Sequence, residues 1–167
     1  KKIQVSSAEQ ERLMESFLAP IRKALEEEHI DTLIKWRTKS IPSIYEKIRV
    51  NNLPFEQIYD IFAVRIIIKN CKPSEEKTDC WRVYSLVTNI YQPNPKRLRD
   101  WITSPKVSGY ESLHTTVRAD KNWIEVQIRT ERMDEIAEKG SAAHWQYKGK
   151  DKKQTTDEWL NQVREIL

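Results

Sequence analysis

The chain has 167 residues, 29 Lys and Arg against 25 Asp and Glu, a formal net charge of +4 and 38% hydrophobic residues. That length fits one domain able to bury its own core, and no apolar run of about 18 residues exists to cross a membrane. Cys71 and Cys80 make neither a disulfide framework nor a zinc spacing, so a reducing, cytoplasmic setting is expected. Three glycines (Gly109, Gly140, Gly149) supply no Walker loop and no dinucleotide fingerprint. If this chain handles nucleotide phosphates, side chains must hold them.

A leading helix is predicted over 7–29. Ser6 or Ser7 caps it, Glu9 or Gln10 completes a capping box, and Leu13, Phe17, Leu18, Ile21 and Leu25 form its apolar face. From Ile30 to Lys39 the pattern alternates, predicting a short strand that ends among Lys35, Arg37 and Lys39. Ser40 caps a second helix near 41–50, with Pro42 tolerated in the first turn. The run Ile61 to Ile68 is β-branched and apolar on both faces, which predicts a central strand covered on both sides. A helix follows over 79–91, with Trp81, Tyr84, Val87 and Tyr91 spaced to bury, and Pro93 and Pro95 stop it. After an irregular, charged stretch from Lys96 to Tyr110 come strands near 112–118 and 123–129, joined by a turn at 119–122. Helices near 131–147 and 155–167 close the chain. Strands interleaved with helices predict an α+β fold, a mixed sheet of about five strands with helical cover. Nothing marks an internal boundary, so residues 1–29, 30–148 and 149–167 read as leading helix, core and trailing helix of one domain.

The hairpin carries the most chemistry. Because side chains alternate along a strand, Ile124, Val126 and Ile128 face one way and Glu125, Gln127 and Arg129 the other. The preceding strand repeats this with Ser112, His114, Thr116 and Arg118, and pairing the strands gathers both polar rows on one face. That face reads equally as the floor of a site or as a solvated surface. Asp60 stands at the mouth of the buried strand, where a carboxylate must be a strand-end cap, paired, or bound to a cation. If its strand neighbours 123–129, Asp60 and Glu125 converge, and two carboxylates with phosphate oxygens suit Mg²⁺. Arg37, Lys39, Lys47, Arg97, Arg99 and Lys106 are cations of the kind that grip phosphate; each alone is an ordinary surface charge. Tyr110 after Gly109 is either a ring for stacking on a base or a core tyrosine. His144, beside Ala142, Ala143 and Trp145, reads as a packed helix histidine.

Several strings, in order, resemble a known family: Arg37-Thr38-Lys39 with Ser43-Ile44-Tyr45-Glu46-Lys47, Tyr59-Asp60-Ile61-Phe62-Ala63-Val64-Arg65-Ile66, and Gly109-Tyr110-Glu111-Ser112-Leu113-His114. Glu125-Val126-Gln127-Ile128-Arg129-Thr130 and Ala142-Ala143-His144-Trp145 follow. Together they resemble the synthetase domain of RelA/SpoT-type (p)ppGpp synthetases over about residues 30–148. The loop Arg97-Leu98-Arg99-Asp100 is similar to the basic version in the long bifunctional members, and Ser108 stands where an Asn often precedes the Gly-Tyr pair. The resemblance therefore describes an excised synthetase domain of a longer protein.

That resemblance implies a nucleotidyltransferase fold of the polymerase β type and transfer of the β,γ-diphosphate of ATP to the 3′-hydroxyl of GTP or GDP, releasing AMP. It implies Asp60 and Glu125 as catalytic residues and Mg²⁺ ligands, with Glu125 the base. Arg37, Lys39, Ser43, Lys47 and Arg99 fall to the ATP side, and Arg97, Lys106, Tyr110, His114 and Gln127 to the GTP or GDP side. No membrane partner is implied, and no nucleic acid for this domain alone, although a full-length parent could contact the ribosome. Two other readings are a catalytically silent nucleotide- or RNA-binding module of the same fold and a transferase that moves a nucleotidyl group instead.

Overall fold

A computed structural model describes residues 7–38 and 62–148, with side chains over 8–38 and 62–140. The predicted helices near 41–50 and 155–167, the capping Ser6 and the side chain of His144 lie outside the described residues. The elements described are helix α1 (Ser7–Glu27), strands β1 (Thr32–Thr38) and β2 (Phe62–Ile68), helix α2 (Glu76–Ile90), the two-residue strands β3 (Gln92–Pro93) and β4 (Arg99–Asp100), strands β5 (Leu113–Ala119) and β6 (Asn122–Thr130), and helix α3 (Glu131–Lys148).

Met14, Phe17, Leu18, Ile21 and Leu25 recur at helical spacing, and all five are buried, giving α1 one apolar stripe. The helix stops two residues short of the predicted end. His29 takes a left-handed φ of 55°, its N–H bonds the Glu26 carbonyl (3.0 Å), and the Ile30 N–H reaches back to Leu25 (2.9 Å). This double bond around a left-handed residue satisfies carbonyls that the helix end leaves without partners.

The sheet runs β1-β2-β6-β5-β3, with β4 paired to β5. It has six strands among the described residues, not about five, because β3 and β4 are too short to show a periodicity in sequence. β2 is central, as its apolar run predicts, antiparallel to β1 and parallel to β6. The β5–β6 hairpin is also as expected, but both strands extend until Ala119 pairs with Asn122. Only Asp120 and Lys121 turn the chain, and Asp120 accepts φ 52°.

One face of the sheet is the core. Phe62, Val64, Ile66 and Ile68 of β2 and Ile124, Val126 and Ile128 of β6 pack there with the α1 stripe and with Cys80, Val83 and Val87 of α2. Each fully buried side chain of this size contributes about 1.5–3 kcal/mol of transfer energy. α2 starts at Glu76, earlier than predicted, after a single 3-10 turn at Pro73–Glu75. Glu76 is buried because Thr130 and Arg132 (2.8 Å from Nε) bind its carboxylate, so a charge at a helix start joins α2 to the end of β6. Tyr91, just beyond α2, stacks on Phe17 at 4.6 Å and donates its hydroxyl proton to the Phe17 carbonyl (2.8 Å). With the core on this side, the opposite face of the sheet is left for polar residues.

Candidate functional site

The strand registers set that polar face out in rows. Arg37, Ala63, Glu125 and Thr116 lie abreast across β1, β2, β6 and β5; Lys35, Arg65, Gln127 and His114 form the next row; Leu33, Ile67 and Arg129 a third. The small side chain of Ala63 leaves a hollow between Arg37 and Glu125, whose Cα atoms are two strand spacings apart, roughly 10 Å. A cleft of about 350 Å³ opens here, lined by Lys35, Arg37, Ala63, Arg65, Gln127 and Glu138 among others. Lys35 and Arg37 are exposed on β1. Arg65, the one charged residue inside an otherwise apolar strand, turns to α3 and pairs with Glu138 (2.7 Å) and Asp134 (3.3 Å).

On the hairpin side the polar groups bond to one another. Gln127 Nε2 donates to Glu125 Oε1 at 2.7 Å, and Arg129 Nη2 donates to Gln127 Oε1 at 2.6 Å. The same Nη2 donates to the Tyr110 hydroxyl (3.1 Å), which lies 2.7 Å from His114 Nε2; His114 Nδ1 is 4.0 Å from Glu125 Oε1. Glu125, Gln127, Arg129, Tyr110 and His114 are thus bonded in series, and the far end, His114, comes back to within 4.0 Å of Glu125 without a hydrogen bond. Burial pushes the Tyr110 hydroxyl up, and the Arg129 charge opposes that shift. Burial likewise lowers Arg129, though its Asp134 partner (3.4 Å) and the Tyr110 hydroxyl favour the charge.

The loop before β5 brings Lys106 to Tyr110. Gly109, at φ 83°, closes a tight turn in which its N–H bonds the Lys106 carbonyl (2.8 Å) and the Lys106 N–H bonds the Tyr110 carbonyl (3.1 Å). A left-handed φ of this kind is strained for any side chain but costs glycine little. The Lys106 ammonium lies 4.6 Å from the centre of the Trp101 ring and 5.4 Å from that of Tyr110, and burial lowers its pKa. Trp101 in turn is tied to the residue before β5, its backbone N–H bonding the Ser112 carbonyl (2.9 Å).

The structure therefore gathers Glu125, Gln127, His114, Tyr110 and Lys106, and sets Arg37 on the same face. Arg97 Nε bonds Thr116 Oγ1 (3.2 Å), in the row of Glu125. Arg99 is opposite His114 in register, yet its guanidinium is turned onto its own loop, on the Lys96 and Leu98 carbonyls (3.1 and 2.9 Å). Tyr110 combines the two alternatives left open by the sequence: a half-buried ring with a bonded hydroxyl, at the rim of the site. Asp60, Lys39, Ser43 and Lys47 lie outside the described residues. The sequence reading assigned no role to Arg129, Arg65 or Asp134. A lone Arg in the run Phe62 to Ile68 was the available signal for Arg65; the contact of Asp134 on α3 with β2 and β6 had none.

Among the described residues no group of three or more His, Cys, Asp or Glu could hold a metal ion, and no helix is long and apolar enough to cross a membrane. Glu138 lines the cleft but is paired with Arg65; Glu125, next to Ala63 in register, is the described half of the predicted pair. Its oxygens are hard donors of the kind Mg²⁺ takes, one or two at a time, when phosphates supply the rest.

Residues 36–152 match the model of a region found in RelA / SpoT proteins. The chain is 36% identical over 173 aligned residues, 99% of its length, to a guanosine-3′,5′-bis(diphosphate) 3′-pyrophosphohydrolase of Haemophilus influenzae. It is 34% identical over 170 residues, 98% of its length, to the bifunctional (p)ppGpp synthase/hydrolase SpoT of Escherichia coli K12. It spans about a quarter of each of these relatives (25% and 23%). Among solved structures, the small alarmone synthetase 1 from Bacillus subtilis matches 82% of this chain and 81% of its own, with a TM-score of 0.54 and 26% identity.

Proposed function

The chain belongs to the RelA/SpoT family, and on that premise we propose that the polar face of its sheet makes (p)ppGpp, moving the β,γ-diphosphate of ATP to the 3′-hydroxyl of GDP or GTP and releasing AMP. One observation carries the reading: Glu125 stands where an open basic cleft meets a set of bonded polar groups. A phosphoryl transfer needs that pairing, cations for a polyphosphate on one side and a positioned hydroxyl acceptor on the other. The names of the curated relatives include hydrolysis, but those proteins extend far beyond this segment. The likeness along most of both chains to an alarmone synthetase supports synthesis for this part.

On this reading Arg37, with Lys39, Ser43 and Lys47, holds the phosphates of ATP, and Arg99 joins them by leaving the carbonyls of its own loop. Tyr110 takes the guanine against its ring. Lys106, Arg97, His114 and Gln127 line the acceptor side. Glu125 removes the proton of the 3′-hydroxyl as the diphosphate is transferred, a role worth about 10²–10⁴ in rate for a positioned base. Asp60 and Glu125 are the residues that would hold Mg²⁺, which would supply positive charge to offset that of the phosphates.

The test is product analysis with labelled ATP, Mg²⁺ and GDP or GTP. Formation of AMP together with ppGpp or pppGpp is expected. Pyrophosphate from added ppGpp would instead assign hydrolysis, release of pyrophosphate from ATP a nucleotidyl transfer, and binding of nucleotide or RNA with no turnover a silent module. Glu125→Gln and Asp60→Asn keep shape but remove charge, and each should lower turnover by about 10²–10⁴. Unchanged rates in both variants would dismiss this assignment of the carboxylates.

A further inference from the structure

Arg132 is the second residue of α3, a poor place for a cation, because the positive end of the helix dipole lies there. Two carboxylates hold it. Its Nε donates to both oxygens of Glu76 (2.8 and 3.2 Å), and its Nη1 lies 2.8 Å from Glu111 Oε2. These bonds, that to Glu111 first, raise its pKa above the usual guanidinium value. The Glu76 side chain is 12% exposed and that of Glu111 18%, so each charge has lost much of its water and needs a partner. Glu76 has a second one in Thr130. Among the described residues Glu111 pairs with Arg132 alone. An apolar residue at position 111 would avoid the cost of drying a carboxylate, so stability by itself does not account for this second arm.

What the arm supplies is placement, because Glu111 directly follows Tyr110. The turn from Lys106 to Tyr110 is closed on itself by its own backbone bonds, so its seat on the sheet depends on what grips it from outside. Backbone pairing does so further on, at Ser112 and Leu113. At Glu111 the grip is a guanidinium, whose planar fork of donors suits two carboxylates at once. We infer that Arg132 is a positioning residue for the acceptor nucleotide: through Glu111 it anchors to α3 the backbone that presents the Tyr110 ring. The ring is then held at both ends, by Arg132 through the backbone and by His114 and Arg129 at the hydroxyl. The inference rests on the proposed role of Tyr110 against guanine, but the placement it describes belongs to the nucleotide-free protein.

The two arms give the test, since either carboxylate can be removed while the other pair stays. Glu111→Met should raise the KM for GDP or GTP about fivefold, the upper value of a part-exposed ion pair, and leave the KM for ATP and kcat where they were. Arg132→Met should do the same, and in a Tyr110→Ala background neither should add to the loss, because residues that act through one contact are not additive. Glu76→Met keeps the Arg132–Glu111 pair and should move neither KM. In nucleotide-free protein, ¹⁵N relaxation should show the order parameters of the Tyr110 and Glu111 amides falling in Glu111→Met from the rigid range, about 0.85, toward about 0.6. If the unaltered chain makes no (p)ppGpp, the synthetase reading fails and these order parameters still decide the inference. Order parameters that stay high, or a guanine KM unmoved in folded Glu111→Met, overturn it. An equal rise in Glu76→Met does so too, since a merely structural role would make the two carboxylates alike. If Arg132→Met or Glu76→Met does not fold, Glu111→Met, which leaves the Arg132–Glu76 pair intact, decides alone.

Discussion

The two halves of the polar face are built differently. On the hairpin side, five side chains from the loop at Tyr110, β5 and β6 bond to one another. On the β1 side, Lys35 and Arg37 stand exposed. Bonded groups cost nothing to organise when a ligand arrives, and they hold geometry. Exposed cations keep donors available to a ligand, and they attract it from a distance. The tied half therefore suits an acceptor whose hydroxyl must be aimed, and the open half a polyphosphate that needs charge.

Ala63 sits between the halves, and of the changes that probe this division enlarging it gives the largest effect. Ala63→Leu would fill the hollow between Arg37 and Glu125 from below. Ala63 lines the cleft but is itself buried, so the added bulk should cost about 1–3 kcal/mol of stability, while turnover of the folded variant should fall by about 10²-fold, as a misplaced reactant costs. Thermal unfolding and AMP formation together check this. An active Ala63→Leu would mean that the two nucleotides do not meet over this row.

Next in size is a crossed pair. Arg37→Ala should raise the KM for ATP about tenfold or somewhat more, the value of a charge-assisted hydrogen bond, and leave the KM for the guanine nucleotide unchanged. Tyr110→Ala should do the reverse by about tenfold, as loss of a stacked base does. The ATP effect should shrink in high salt, which screens exposed charges within a few Å. The Tyr110 effect should not. If both variants moved both KM values alike, the division of the face would be wrong.

Much of this face was legible in the sequence because a strand has a period of two. Glu125, Gln127, Ser112, His114 and Thr116 could be put on one surface from alternation alone, and Phe62 to Ile68 named the central strand by composition. The family strings then gave those residues expected roles. What could not be read was register between distant strands, which sets Arg37 abreast of Glu125, and the turns of single side chains. Arg99 is a case of the second kind. Its place beside His114 follows from the pairing of two residues at β4, but its guanidinium bends back to its own loop. Arg129 was placed on the right face, yet nothing local distinguishes a solvated strand arginine from one buried by α3. The Asp60–Glu125 meeting was predicted from sequence and lies outside the described residues on one side.

The smallest effect is expected where α3 meets the open half. Glu138 is more than half exposed and Arg65 about a quarter, at 2.7 Å, while Asp134, 14% exposed, holds the same guanidinium from the buried side at 3.3 Å. Exposed pairs contribute about 0–1 kcal/mol. Glu138→Gln should therefore shift the denaturant midpoint only marginally and change either KM by no more than about twofold. Asp134→Asn should do more on every count, because it removes the charge shared by Arg65 and Arg129 and leaves the second of these buried without its carboxylate. Titration of both variants with urea, read beside the two KM values, orders them. A larger loss in Glu138→Gln than in Asp134→Asn would mean that α3 acts on the cleft through its exposed carboxylate, and that the tied half does not extend to Asp134.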